Sequence, residues 1–181
     1  MELAQLLKER RSVQLFEDRP VSVKLITQLL DTSVWVPNHR MTQPWRFVLV
    51  HGDGVKRIAQ TCRSIAGRTG ALDGEKAYNK MIGVPALLTV AMRENPNLAI
   101  REEDYASTSC IIHNFSLLAW EKGIGTVWKT PGLMHQPEYR EAFGIQPGEK
   151  LVGTLHIGYP AKIPAAQPRI PAEQLLTIMD S

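Results

Sequence analysis

Three adjacent residues near the amino end, Arg10, Arg11 and Ser12, bring two guanidiniums and a hydroxyl together. Arginine presents its donors in a fixed planar fork, so this set suits a phosphate or a polarised ring carbonyl. The same cations would also favour the negative end of a helix without any ligand. A second polar cluster runs Pro37-Asn38-His39-Arg40-Met41-Thr42-Gln43-Pro44-Trp45-Arg46. His39 and Gln43 lie between two prolines that stiffen the segment, which suits a preformed binding surface. The plainer reading is an ordinary loop with Trp45 in the core.

Other patterns lead to no site. Gly52-Asp53-Gly54 follows a strand and opens a helix, but Arg57 stands where a dinucleotide fingerprint needs its third glycine, so it reads as a turn. No phosphate loop of the GxxxxGK[ST] type is present. His39, His51, His113, His135 and His156 show no metal-ligand spacing, and Cys62 and Cys110 form neither a CxxC pair nor a zinc pattern, so no metal is expected. Asn114-Phe115-Ser116 matches a glycosylation acceptor by chance, inside an apolar helix. No catalytic nucleophile or general acid is named by spacing, because such groups meet in space.

Composition bounds the rest. Of 181 residues, 44% are hydrophobic and 22% charged, an ordinary globular balance. Twenty-one Lys and Arg against eighteen Asp and Glu leave +3, too little and too scattered for a nucleic-acid or membrane partner. The opening MELAQLLKERRS does not read as a secretory signal, and the apolar run Ser109 to Trp120 is broken by polar residues well short of a membrane span. With two cysteines and no disulfide framework, a reducing, cytoplasmic setting is expected.

The elements that must position the two clusters follow from periodicity. Helices are expected at Glu2–Arg11, from an N-cap at Ser22 to before Pro37, at Val55–Arg63, at Arg101–Lys122 and at Pro137–Phe143. Strands are expected at Arg46–Val50, Ala86–Met92, Thr126–Lys129 and Leu151–Ile157. Residues 64–80 read as a mobile excursion with a short helix near Lys76–Met81, and the proline-bearing tail after Gly158 as an extended arm. These elements do not alternate as βαβ units, so the fold class expected is α+β, one domain over residues 1–181, with helices around a central mixed sheet. The Arg101–Lys122 helix is apolar nearly all round, which implies burial on every side. A second copy of the chain covers it most economically; a central helix in a monomer is the alternative.

Taken together, the two clusters resemble the nitroreductase family of FMN-dependent oxidoreductases. The family's RRSxRxF, Pro-Val and NxQPW pattern corresponds here to Arg10–Phe16, Pro20-Val21 and Val36–Trp45, and Glu121–Trp128 and Leu151–Pro160 resemble its later segments. The resemblance covers about residues 2 to 160. Gln14 replaces the last arginine of the first motif, and Met41 stands where the loop usually carries asparagine. The resemblance implies a nitroreductase-like sandwich and a homodimer with FMN at the subunit interface. Arg10, Arg11 and Ser12 would contact the cofactor, His39 and Gln43 would reach it from the other subunit, Trp128, Lys129 and Thr130 would line it, and Arg169 would meet its phosphate. It also implies NAD(P)H as reductant and a nitroaromatic, quinone or similar small-molecule acceptor reduced by a ping-pong mechanism. The alternatives are a flavin-binding or sensor module without turnover, or a related flavin reductase or dehalogenase on the same fold.

Overall fold

The computed structural model describes residues 2–70 and 73–180. Helix α1 (Leu3–Glu9) leads through Arg10–Gln14 to a short strand β1 (Leu15–Phe16) and helix α2 (Val23–Ser33). Strand β2 (Trp45–His51) precedes helices α3 (Asp53–Thr69) and α4 (Gly74–Ile82), strand β3 (Ala86–Arg93) and the long helix α5 (Leu98–Glu121). Strand β4 (Gly125–Lys129), helix α6 (Pro137–Ala142), strand β5 (Glu149–Gly158) and the short β6 (Pro160–Lys162) complete the order.

The central sheet has the order β2-β3-β5-β4, with every neighbouring pair antiparallel. Its parallel component is a single bridge, Ser12 to Thr126, which lays the Arg10–Gln14 segment along the outer edge of β4. The Val13 amide donates to the Thr126 carbonyl at 3.0 Å there. A second, two-stranded sheet pairs β1 with β6. The sheet is buried on both faces. Leu87, Ala91 and Leu151 join a core under α3, α4 and α6, while Leu88, Val90, Met92, Val152 and Leu155 join one under α2 and α5. Successive side chains of a strand point to opposite faces, so a strand covered on both sides reads as a continuous apolar run, as β3 does.

Most expected elements stand at their places, and Ser22 caps α2 by accepting from the Leu25 amide. In residues 64–80 the short helix expected near Lys76–Met81 stands as α4, and the rest of that segment is the main correction. Apart from Ala71 and Leu72, which lie outside the described residues, residues 64–80 are largely helical: α3 runs to Thr69, and Asp73 caps α4 by accepting from the Lys76 amide. Their apolar side chains, among them Ile65, Ala66, Ala77 and Met81, are buried against the sheet. Helix α5 begins three residues early because the Asn97 side chain accepts from the Ala99 and Ile100 amides. Within the single chain Tyr105, Ala106, Cys110 and His113 form an exposed stripe along it. The tail after Lys162 is extended save for one turn at Ala172–Gln174, and it exposes Ile163, Ile170, Leu175, Leu176 and Ile178. No helix among the described residues is long and apolar enough to cross a membrane.

Candidate functional site

The parallel bridge at Ser12 decides which cations meet. It sets Arg10 and Arg11, just past the end of α1, beside the start of β4, and the tail brings Arg169 close enough for its charge to act on Arg10. Burial, then the positive charges of Arg11 and Arg169, make protonation of Arg10 less favourable than in water. Among the described residues the Arg10 guanidinium has no hydrogen-bond or ion-pair partner, whereas Arg11 donates to the carbonyls of Lys8 and Arg10 at 2.6 and 2.9 Å. Arg11 is thus partly spent on closing α1, and Arg10 is the unspent donor. Like charges gathered without a counter-charge are unfavourable, so the group is suited to an anion such as a phosphate.

Lys129, at the end of β4, is the next cation. Its ammonium donates to the Gln14 side-chain oxygen at 2.7 Å, while burial and the charge of Lys80 on α4 hold its pKa below the usual lysine range. Gln14, Lys80 and Lys129 stand together at one side of a cavity of about 770 Å³. Its other walls include Phe16, Met81, Val84, Leu133 and Tyr139, with Cys62 and His156 among its lining. A largely apolar pocket with a few polar groups is the usual form of a small-molecule site. Trp128 packs over Gly153, in the space a side chain there would need, and its indole N–H donates to the Val152 carbonyl at 3.3 Å. Thr130 is exposed beside it.

His39 and Gln43 sit elsewhere, on a loop fastened to α5. The Asn38 side-chain oxygen accepts from the Gln43 amide at 2.8 Å, and its amide group donates to the Thr42 hydroxyl at 3.0 Å. Thr42 in turn donates to the buried carboxylate of Asp104 at 2.5 Å, Ser107 donates to the Pro37 carbonyl, and His39 Nδ1 lies 2.8 Å from Glu103. The loop needs such fastening, because Arg40, Met41 and Gln43 have φ of 60°, 49° and 41°. A left-handed backbone costs a non-glycine residue about 1–2 kcal/mol. The fastened loop leaves His39, Arg40, Met41 and Gln43 facing outward. No hydrogen bond or ion pair among the described residues joins it to the Arg10–Lys129 group.

The structure therefore brings Arg10, Arg11 and Arg169 within reach of one another's charge, sets Lys129 beside Gln14 and Lys80 further along β4, and holds His39 and Gln43 on the loop fastened to α5. The sequence reading missed Asn38 and Asp104, which shape the loop, and Lys80 and His156, which line the cavity. Asn38 carried a usable signal as a side chain that hydrogen-bonds its own backbone in turns; His156, inside an apolar strand, carried none. Among the described residues no group of three or more His, Cys, Asp or Glu could hold a metal ion.

These features agree with what the chain resembles as a whole. Residues 7–159 match the nitroreductase family. The Bacillus subtilis protein called "Putative NAD(P)H nitroreductase YfhC" is 36% identical over 98% of this chain and 94% of its own length. A solved nitroreductase-like family protein from Bacillus cereus is 35% identical and superposes with a TM-score of 0.91, covering 100% of this chain and 97% of that one. The fold is shared more distantly by the FMN and NADPH-dependent nitroreductase NfnB from Sphigopyxis sp. strain HMH, at 19% identity, a TM-score of 0.81 and full coverage of both chains. The chain belongs to the nitroreductase family, which makes it an oxidoreductase.

Proposed function

We propose that residues 1–181 form one FMN-binding domain of a homodimeric oxidoreductase that takes reducing equivalents from NAD(P)H and passes them to nitroaromatic, quinone or similar acceptors in a ping-pong cycle. The observation that carries this reading is the pairing of an uncompensated guanidinium group, Arg10 with Arg11 and Arg169, with a cavity edged by Lys129 and Gln14. Such a pair fits a cofactor with a phosphate at one end and an electron-accepting ring at the other. The names of YfhC and NfnB point the same way.

When bound, the flavin supplies the redox chemistry, accepting a hydride from the nicotinamide and yielding electrons to the second substrate. The chain's own residues hold and tune it. Arg10, with help from Arg11, Ser12 and Arg169, binds the phosphate through charge-assisted hydrogen bonds. Lys129 and Lys80 place fixed positive charge where negative charge develops on the ring, an arrangement worth more inside a partly dry site than in water. Trp128 and Thr130 complete the wall beside them.

A second copy supplies what one chain lacks. His39 and Gln43 face away from the cation group in their own chain, and the exposed α5 stripe and apolar tail leave surface that a partner would cover. In the dimer His39 and Gln43 of one subunit would reach the cofactor held by the other. Steady-state kinetics of the FMN-loaded protein with NADPH or NADH and a quinone or nitroaromatic test the reading. Parallel double-reciprocal lines are expected. Flavin binding with no reductant consumption would leave a flavin-binding module instead.

A further inference from the structure

One buried group at the cavity has no part in the account so far. His156 lies on β5, in the cross-strand row Val127–His156–Leu87, on the face covered by α3, α4 and α6. Its side chain is 7% exposed, yet it lines the cavity. Among the described residues no hydrogen bond or ion pair reaches its ring. Its hydrogen-bonding capacity is therefore left to whatever fills the cavity.

The surroundings define what could pair with it. Burial, then the charge of Lys129, push the imidazole down to about 4, so the ring is neutral at physiological pH. A neutral imidazole keeps one N–H donor and one acceptor. The nearby Cys62 thiol, pushed up to about 11 by burial, stays protonated and offers no competing charge. Leu133, Val84 and Tyr139 make the adjacent wall apolar. Beside the Lys129 ammonium the cavity thus offers apolar surface and the unspent neutral ring of His156, next to a protonated thiol. That combination suits a planar heteroaromatic ring bearing a hydrogen-bond acceptor, and would not favour a second anion.

We infer that His156 is a cofactor-contacting residue, donating its ring N–H to an acceptor atom of the flavin ring system and fixing how deeply that ring enters the cavity. The inference rests on the flavin reading above and adds a contact at the ring end, independent of the phosphate end.

Binding of two probes, FMN and riboflavin, separates the ends, with dissociation constants from fluorescence titration of the wild-type, His156→Leu, His156→Gln and Arg10→Ala proteins. Leucine should weaken both flavins by about tenfold and alter the visible spectrum of the bound ring. Glutamine, which keeps a donor, should restore most of the affinity. Arg10→Ala should weaken FMN while leaving riboflavin unchanged. Equal flavin affinity in the wild-type and leucine proteins overturns the contact and leaves the flavin reading intact, as does a loss confined to FMN. A wild-type protein that binds neither flavin overturns both. Should the leucine protein fail to fold, the ring 15N resonances of His156 in the wild-type protein decide: they move on adding riboflavin if the contact exists, and stay in place if it does not.

Discussion

Asn38→Ala is the sharpest test of how the loop is built. The substitution removes the side-chain oxygen that accepts from the Gln43 amide at 2.8 Å and the donor that reaches Thr42 at 3.0 Å. Those bonds hold Arg40, Met41 and Gln43 in left-handed conformations that each cost about 1–2 kcal/mol. Without them the loop relaxes toward ordinary backbone, and Thr42 loses part of the geometry that seats it on Asp104. The net loss of stability should be about 1–2 kcal/mol, since the freed groups in this part-exposed loop regain water. For a chain of this size that lowers the melting temperature by about 2–8 °C. Flavin affinity should fall as well, because the loop must reorder to present His39 and Gln43 to the partner's cofactor, and that ordering then draws on binding energy. Thermal unfolding monitored by circular dichroism, beside fluorescence titration with FMN, reads both effects. An unchanged melting temperature would refute the claim that Asn38 holds the strained loop. A lowered melting temperature with full FMN affinity would refute the loop's place at the cofactor.

Other consequences are independent of that loop. Arg10→Ala should weaken FMN by about 1.5–3 kcal/mol, the worth of a charged hydrogen bond, while raising the flavin-free melting temperature slightly because repulsion from Arg11 and Arg169 is relieved; equal FMN affinity counts against the phosphate assignment. Gln43→Ala should disturb the flavin of the opposite subunit, so tagged mixed dimers with one altered chain should show one altered and one normal flavin, and two normal flavins would sink the trans arrangement. Glu149→Ala strands Arg46, which donates to that buried carboxylate at 2.6 Å from two nitrogens; urea unfolding should show a loss of about 2–4 kcal/mol, kept below the full buried-pair figure because Arg46 retains access to water. His156 gives a pH dependence of known sign: its folded-state pKa of about 4 lies below the unfolded value of 6.5, so the unfolded chain binds more protons between them and stability falls by about 2–4 kcal/mol as pH drops from 6.5 toward 4. His156→Gln should flatten that slope in urea unfolding at pH 7 and pH 5, and an equal slope in both proteins would contradict it.

How much was legible from sequence varies with how local the signal is. Ser22 before an apolar-periodic stretch marked α2, because caps are written in neighbouring residues. The same logic was available at Asn97 and Asp73, whose side chains cap α5 and α4: the short helix near Lys76–Met81 was legible, but its start at Gly74 and the run of α3 to Thr69 were obscured by the glycines and charges between them. The antiparallel strand order depends on pairings far apart in sequence, which composition does not encode. In the site, the arginine pair was visible as a pair. Its convergence with Arg169 depends on how the tail returns toward Arg10, and the role of His156 depends on a cavity formed only when α3, α4 and α6 pack on the sheet.

The central claim is that this chain carries a working flavin. The most direct measurement is the visible spectrum of the purified protein with FMN added, after removal of unbound cofactor, followed by NADPH and then NADH without oxygen. Flavin absorption should be retained, bleach on adding at least one of the two nicotinamides and return on adding a quinone. A protein that retains no flavin, or one whose flavin bands stand unchanged with both reductants, would contradict that claim.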